Sequence, residues 1–184
     1  VGEPRDDIAV DLSTVAATEA PDGLIDRLRL KSALVRAIQV CAALDRTLEL
    51  TVQHASVRTQ FGRSLSRFQA VQHLIADMAA EAALARASTE ASLTAAVATD
   101  WTGANVPFLV ATARSCAGHG ASVVVRNAHQ VHGAIGTTRE HQLHHFTRPS
   151  LTWRAEFGSV QHWDDQVAKA ALDARSDLWG LITR

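Results

Sequence analysis

The sequence predicts an all-α fold: a four-helix up-down bundle with long helices plus short C-terminal helices. Three observations carry that expectation. Alanine fills 33 positions, tyrosine is absent and only four residues are proline, a mixture that favours helix over sheet. Apolar residues recur at helical spacings over stretches far longer than the ~11–12 residues of an average helix. The joins between those stretches are short and carry glycine, proline or asparagine, as in bundles of antiparallel neighbours.

Residues 1–23 differ from the rest. Ile8, Val10 and Leu12 are spaced by two as in a strand, and Glu19-Ala20-Pro21-Asp22-Gly23 is turn and helix-entry chemistry. We read 1–23 as the tail of a preceding β domain with a connector, and 24–184 as a helical bundle domain. A start at Val1, with no methionine and no leader pattern, is what a piece of a longer protein presents. After Pro21 the period becomes helical. Leu24, Leu28, Leu34, Ile38, Cys41, Leu44, Leu48, Val52 and Ala55 form one apolar stripe, uninterrupted by glycine or proline until Gly62. That predicts a first helix of roughly 35–40 residues, which needs neighbours along its length. Phe68, Val71, Ile75, Met78 and Ala82 onward to Leu93 predict a second helix ending near Asp100. Thr102 to Asn105 punctuates, and Val106, Leu109, Val110, Ala113, Ala117, Val124 and Ala128 predict a third. Its Gly118 and Gly120 would each weaken an isolated helix by ~1 kcal/mol, so close helix contact is expected there. Gly133-Ala134-Ile135-Gly136 stops it; 138–147 reads as a short helix ended by Pro149, and Val160 to Leu178 as the last.

With 184 residues, 47% of them apolar, 20% charged and a net charge of −1, the chain has enough length and apolar content for one domain with a real core. A pI near 6.8 argues against a dedicated nucleic-acid binder. No uninterrupted apolar stretch approaches the ~18–20 residues of a membrane span. Cys41 and Cys116 lie far apart in apolar runs and read as reduced core residues, so a cytoplasmic location is expected. Basic residues are 16 Arg against 2 Lys, which suits planar recognition of phosphate or carboxylate.

Four stretches carry candidate chemistry. In Arg58-Thr59-Gln60-Phe61-Gly62-Arg63, followed by Phe68-Gln69, two arginines flank a Phe-Gly turn between helices. Arg58 suits a phosphate, Phe61 a ring and the Gln69 amide a polar ligand group; the alternative is a hairpin with a core Phe and solvated arginines. In Gln130-Val131-His132-Gly133-Ala134-Ile135-Gly136 the glycines offer close approach and free N–H groups to a ligand, or simply end a helix. Glu140-His141-Gln142-Leu143-His144-His145 spaces three histidines as on one helical face. Without cysteine partners or HExxH order it reads as satisfied polar histidines rather than a metal site. Trp153-Arg154-Ala155-Glu156-Phe157-Gly158-Ser159-Val160-Gln161 sets a carboxylate among aromatic and apolar neighbours, the surroundings of a general base or of a surface Glu before a helix.

In this order, the motifs resemble the C-terminal helical domain of the flavin-dependent acyl-CoA dehydrogenase family. Arg58-x-Gln60-Phe61-Gly62 with Phe68-Gln69 is similar to its Arg-x-x-Phe-Gly…Phe-Gln turn. Gln130-x-x-Gly133-x-x-Gly136 resembles its Gln-x-x-Gly-Gly-x-Gly segment, and Thr138-Arg139-Glu140 with Arg148 matches the Thr-x-Glu and Arg that follow. The resemblance covers about 24 to 180. It implies a bundle preceded by an N-terminal helical and a middle β domain, with FAD between domains and across a subunit contact. Arg58, Phe61 and Gln69 would then contact the adenosine diphosphate end of a neighbouring subunit's FAD. Gln130, Gly133 and Ala134 would line the same side, while Ser159 and Gln161 would touch the flavin held by the chain's own other domains. The implied reaction is α,β-dehydrogenation of an acyl-CoA to an enoyl-CoA. Its implied partners are the acyl-CoA, an electron-transfer acceptor, and further copies in a homodimer or homotetramer, or a heteromeric partner subunit.

The base position departs from the family. Where many members place a Glu directly before the motif glycine, Phe157 precedes Gly158, and Glu156 stands one residue earlier. A subset places the base on the first bundle helix; the matching position is Ser32, with Asp26 more than a turn away. Glu156 is therefore the candidate base. A partner chain supplying the base, leaving this one a flavin-binding or oligomerisation subunit, and a relative with altered chemistry are the alternatives.

Overall fold

The computed structural model describes Glu3 and residues 6–183. Three long helices dominate: α1 (Leu24–Val57), α2 (Gln69–Ala98) and α3 (Val106–His132). They are followed by α4 (His144–Trp153), α5 (Val160–Ala174) and α6 (Leu178–Thr183). The long helices pack on one another, α4 lies along α1 and α5 along α3. α3 is thus the central element. It is the one described helix long and apolar enough to cross a membrane, yet over half of its apolar window is buried inside the domain, as expected of a core helix.

The core is built from small residues. Ala33, Ala37, Ala85, Ala113, Ala121 and Ala128 are fully buried, and Leu34, Leu44, Met78, Leu143 and Trp163 are large apolar side chains packed among them. Small side chains let the helix backbones approach closely. A Cβ at Gly118 would lie 2.6 Å from Val160 of α5, and one at Gly120 3.4 Å from the Glu81 carbonyl of α2, so the expected close contacts at both glycines are present. Thr47 and Thr51 are buried without cost because their hydroxyls donate to the Ala43 and Thr47 carbonyls at 2.7 Å.

Several element expectations are corrected. Leu34, Cys41, Leu44 and Ala55 of the α1 stripe are buried, but Leu24, Leu28, Ile38 and Val52 are exposed. Ala33, Ala37 and Val40 take their place, because counting only large apolar residues misplaces the face of an alanine-rich helix. Residues 138–143 form a bend and turn, not a helix; α4 begins at His144 and runs through Pro149. The proline removes the helical bond to the His145 carbonyl, a loss set against the burial of its ring in the domain. The last helix breaks at Arg175, whose φ is +52°, before α6.

The Phe61-Gly62 turn is a two-residue β-hairpin. β1 (Thr59–Gln60) pairs antiparallel with β2 (Arg63–Ser64), and φ is +52° at Phe61 and +79° at Gly62. Two positive φ values are the requirement of the type I′ turn, which glycine meets without strain. Before α1, residues 6–11 have no regular structure, Leu12–Thr14 is a single 3₁₀ turn capped by Asp11, and Ile8 and Leu12 are exposed. Residues 1, 2, 4 and 5 of the expected β tail lie outside the described residues.

Candidate functional site

The predicted site residues fall into two separate groups. Arg36 and Arg58, one in each group's surroundings, are separated by ~33 Å along α1 at 1.5 Å per residue.

The first group surrounds the C-terminal ends of α1 and α3. Arg58, Gln130, Gly133 and Ala134 line one cavity of about 710 Å³, together with Gln60 and Val71. Arg58 is there because α1 ends on it in extended conformation, and Gln130 because it lies on the last turn of α3. Gly133 has φ +63°, and a Cβ there would meet nothing within 4 Å, so its backbone faces open space. Its N–H is not free as expected, because it caps α3 on the His129 carbonyl. Gly136 faces inward instead, where a Cβ would lie 2.7 Å from that of His132. Phe61, at the hairpin tip, is 90% exposed and meets Phe68 edge-on at 6.2 Å between centroids. Gln69 opens α2, exposed and next to the cavity-lining Ala70.

The second group lies between α4 and α5. The Glu156 carboxylate accepts from Arg36 of α1, with Nε and Nη2 each 2.6 Å from Oε2. Arg36 also donates to Gln39 and lies over the Trp153 ring at 5.5 Å, while the Trp153 indole N–H donates to Glu3 at 2.7 Å. Phe157 has φ +57° and turns its ring outward, half exposed. Gly158 has φ +129°, and a Cβ there would strike Trp163 at 2.7 Å. Ser159 caps α5 by accepting from His162 N–H at 3.1 Å, and Gln161 is exposed in the first turn.

Sequence reasoning missed the residue that holds this loop. Arg114, on α3, is 1% exposed and donates through Nη2 to the carbonyls of Arg154 and Glu156 at 2.9 Å, with those of Trp153 and Gly158 at 3.3 and 3.4 Å. A helix C-terminus leaves carbonyls without partners, and here a buried guanidinium from a neighbouring helix serves that of α4. Burial lowers the Arg114 pKa to about 10, with Glu156 opposing the drop, so the side chain stays charged at neutral pH. The available signal was an arginine one position after Ala113 of the apolar stripe, in the first half of α3. Also unforeseen is a cavity of about 790 Å³ between the starts of α1 and α3 and the α5–α6 face, with Asp26, Arg29 and Lys169 on its wall.

The histidines were also placed differently from expectation. His144 and His145 meet each other at 4.1 Å between centroids with their rings tilted by 40°, while His141 turns away from them to meet His132 at 4.6 Å and His54 at 6.2 Å. Burial pushes the His132 pKa down to about 4 and lowers that of His54, the neighbouring imidazoles adding to both effects.

Residues 30–172 match the family model described as acyl-CoA dehydrogenase, C-terminal domain. The chain belongs to this family. Among curated relatives it is 37% identical over 130 residues to acyl-CoA dehydrogenase IpdE2 of Mycobacterium tuberculosis, covering 71% of this chain and 36% of that protein. It is 32% identical over 161 residues to acyl-CoA dehydrogenase FadE34 of the same organism, covering 85% and 22%. The chain thus spans about a third or less of the length of these relatives. Among solved structures, a glutaryl-coenzyme A dehydrogenase in complex with glutaryl-CoA aligns at TM-score 0.74 and 27% identity, over 82% of this chain and 38% of that one. The ChsE4-ChsE5 complex of M. tuberculosis aligns at TM-score 0.73 and 25% identity, over 79% and 38%. The family's cofactor is FAD. The first cavity fits part of such a dinucleotide: a guanidinium for phosphate, side-chain amides for polar groups, and an open glycine backbone for close approach.

Proposed function

We propose that the chain is the bundle domain of an FAD-dependent acyl-CoA dehydrogenase, in which 1–23 trail from a preceding β domain. The observation that carries this reading is the gathering of Arg58, Gln130, Gly133 and Ala134 on one cavity, with Phe61 and Gln69 at its margin. In the proposal these residues bind the adenosine diphosphate end of an FAD whose flavin lies in a neighbouring subunit. The second group, ~33 Å away along α1, is then too distant for the same stretch of cofactor, so Ser159 and Gln161 face a different FAD. That geometry requires at least a dimer of the whole protein.

When bound, FAD supplies the hydride acceptor for the β-carbon of the acyl-CoA. Glu156 takes the α-proton, with its carboxylate oriented by Arg36 and its backbone fixed by Arg114. Phe157, carried outward by its positive φ, leaves Glu156 as the acidic side chain of the 153–158 turn. The acyl-CoA would leave as an enoyl-CoA, and an electron-transfer acceptor would take up the two electrons removed from it. We also infer a cytoplasmic setting, in keeping with the free thiols of Cys41 and Cys116.

One observation favours a second reading. Glu156 is engaged by Arg36 within a half-buried cluster with Trp153 and Glu3, which also suits a purely architectural carboxylate. The base would then come from a partner subunit; among the similar solved structures, ChsE4 is found in a complex with ChsE5. Anaerobic mixing of the full-length flavoprotein, expressed alone, with a panel of acyl-CoAs separates the two. Flavin bleaching that Glu156→Gln abolishes supports the first reading; retained flavin that never bleaches without a partner supports the second.

A further inference from the structure

We propose that His54, His132 and His141 form a binding site for a first-row divalent cation of the Zn²⁺ class. The three come from separate elements: the last turn of α1, the end of α3, and the turn before α4. One ring nitrogen of each lies within 4.8 Å of the other two. A tetrahedral zinc at about 2.0–2.1 Å from each nitrogen needs them closer, at roughly 3.3 Å. Modest turns of His54 and His141, both only half-buried, close that gap, whereas His132 is held in place.

His132 is the observation that points to a ligand. It is 5% exposed, and its Nδ1 lies 2.8 Å from the Ala128 carbonyl. A carbonyl only accepts, so Nδ1 carries the proton and Nε2 presents its lone pair. That Nε2 is buried and has no hydrogen-bond partner among the described residues. An imidazole with one nitrogen donating to a backbone carbonyl and the other nitrogen bare is in the tautomer and orientation of a metal ligand. An unsatisfied buried acceptor is otherwise costly to keep; His54 stacks on the ring and His141 meets it edge-on, and neither donates to Nε2.

His54 stacks on His132 at 4.5 Å between centroids. His141 Nδ1 accepts from the Leu143 N–H at 3.1 Å, and coordination through that nitrogen exchanges this bond for one to the ion. Three clustered imidazoles suit Zn²⁺ and its neighbours rather than Mg²⁺ or Ca²⁺, which prefer oxygen. Glu140 shares an adjoining cavity of about 310 Å³ with His54 and His141, which leaves room there for water as a fourth ligand. Arg58, one turn beyond His54, opposes a cation, and Glu140, adjacent in sequence to His141, carries the offsetting charge. The ion would tie the 138–143 turn to the ends of α1 and α3. His54 and His132 also line the cavity of Arg58 and Gln130, so it would brace that wall.

Calorimetric titration of the untagged, metal-stripped full-length protein with Zn²⁺, and with Co²⁺ followed by its visible ligand-field bands, tests the site. We expect one equivalent bound, a tetrahedral Co²⁺ spectrum, and affinity reduced at least tenfold in His54→Ala and in His141→Ala. A His144→Ala/His145→Ala double variant should bind as the parent does. Circular dichroism of each variant confirms that the helices are intact; His141→Phe, which keeps an aromatic ring in the turn, replaces the alanine variant if that one unfolds. Binding that is substoichiometric, or equally strong in the folded His54 and His141 variants, overturns the proposal and assigns any affinity to scattered surface histidines.

Discussion

At the scale of single residues, Arg114 is the most consequential side chain in the described structure. It is a buried cation whose role is to satisfy the carbonyls of a neighbouring turn. Removing one partner of such a buried set costs far more than the set itself contributes, because the remaining groups stay desolvated. Arg114→Met should therefore destabilise the domain by about 3 kcal/mol, and Arg114→Lys, which keeps the charge but not the fork, by less. Urea unfolding of the three proteins measures this; an unchanged midpoint in Arg114→Met would contradict the assigned role. Cys41 gives a second test. Burial raises its thiol pKa, against a bond to Thr89 at 3.4 Å. The folded state therefore holds the proton more tightly than the unfolded one. Stability from this site is fully present below the ordinary thiol range and is lost as pH rises through the raised folded value. Cys41→Ala should flatten the alkaline end of the stability profile, as followed by thermal melts between neutral and alkaline pH.

At the scale of elements, the packing of α5 on α3 depends on an absent side chain and a polar clasp. A Cβ at Gly118 would meet Val160 at 2.6 Å, while Asp164 accepts from Ser115 at 2.6 Å and pairs with His119 at 3.0 Å. Overfilling such a contact typically costs ~1–3 kcal/mol. Gly118→Ala should lie in that range, and Val160→Ala in the same chain should recover most of the loss, a coupling that a double-mutant cycle in urea reads directly. If the two changes simply add, the helices can separate at little cost and the close approach is not a requirement. The hairpin follows a different rule. A Cβ at Gly62 meets nothing within 4 Å, so Gly62→Ala carries only the strain of φ +79°, roughly 1–2 kcal/mol. Its effect should fall on cofactor retention by the full-length protein more than on the melting of the bundle, because the hairpin presents Phe61 without packing on the core.

At the scale of the whole molecule, much apolar surface is left uncovered. Ile25, Leu28 and Val35 of α1, and Leu84 and Val97 of α2, are each more than half exposed. Surfaces of this kind in one domain mark contacts with other domains or copies. The two ends of the site, ~33 Å apart on one helix, carry the same implication. Light scattering on the full-length protein should give a dimer or larger assembly, and Arg58→Ala should lower flavin content without dissociating it. A monomer that retains its flavin fully would contradict the proposed division of one cofactor between subunits.

The sequence by itself determined the helical architecture, because helical periodicity and turn residues are local properties. α1, α2 and α3 lie within a few residues of where spacing and punctuation put them, and the Arg58, Gln69 and Gln130 motifs were recognisable as patterns in the chain. Tertiary structure alone decided which face of an alanine-rich helix is buried, since the small residues that pack best give the weakest hydrophobic signal. It also decided that Pro149 lies within a helix, because burial outweighed a lost hydrogen bond. Above all it paired Glu156 with Arg36, 120 residues apart, set Arg114 under the 153–158 turn, and brought His54, His132 and His141 together from three elements. Such meetings depend on how helices cross in space, and no local pattern in the chain encodes them.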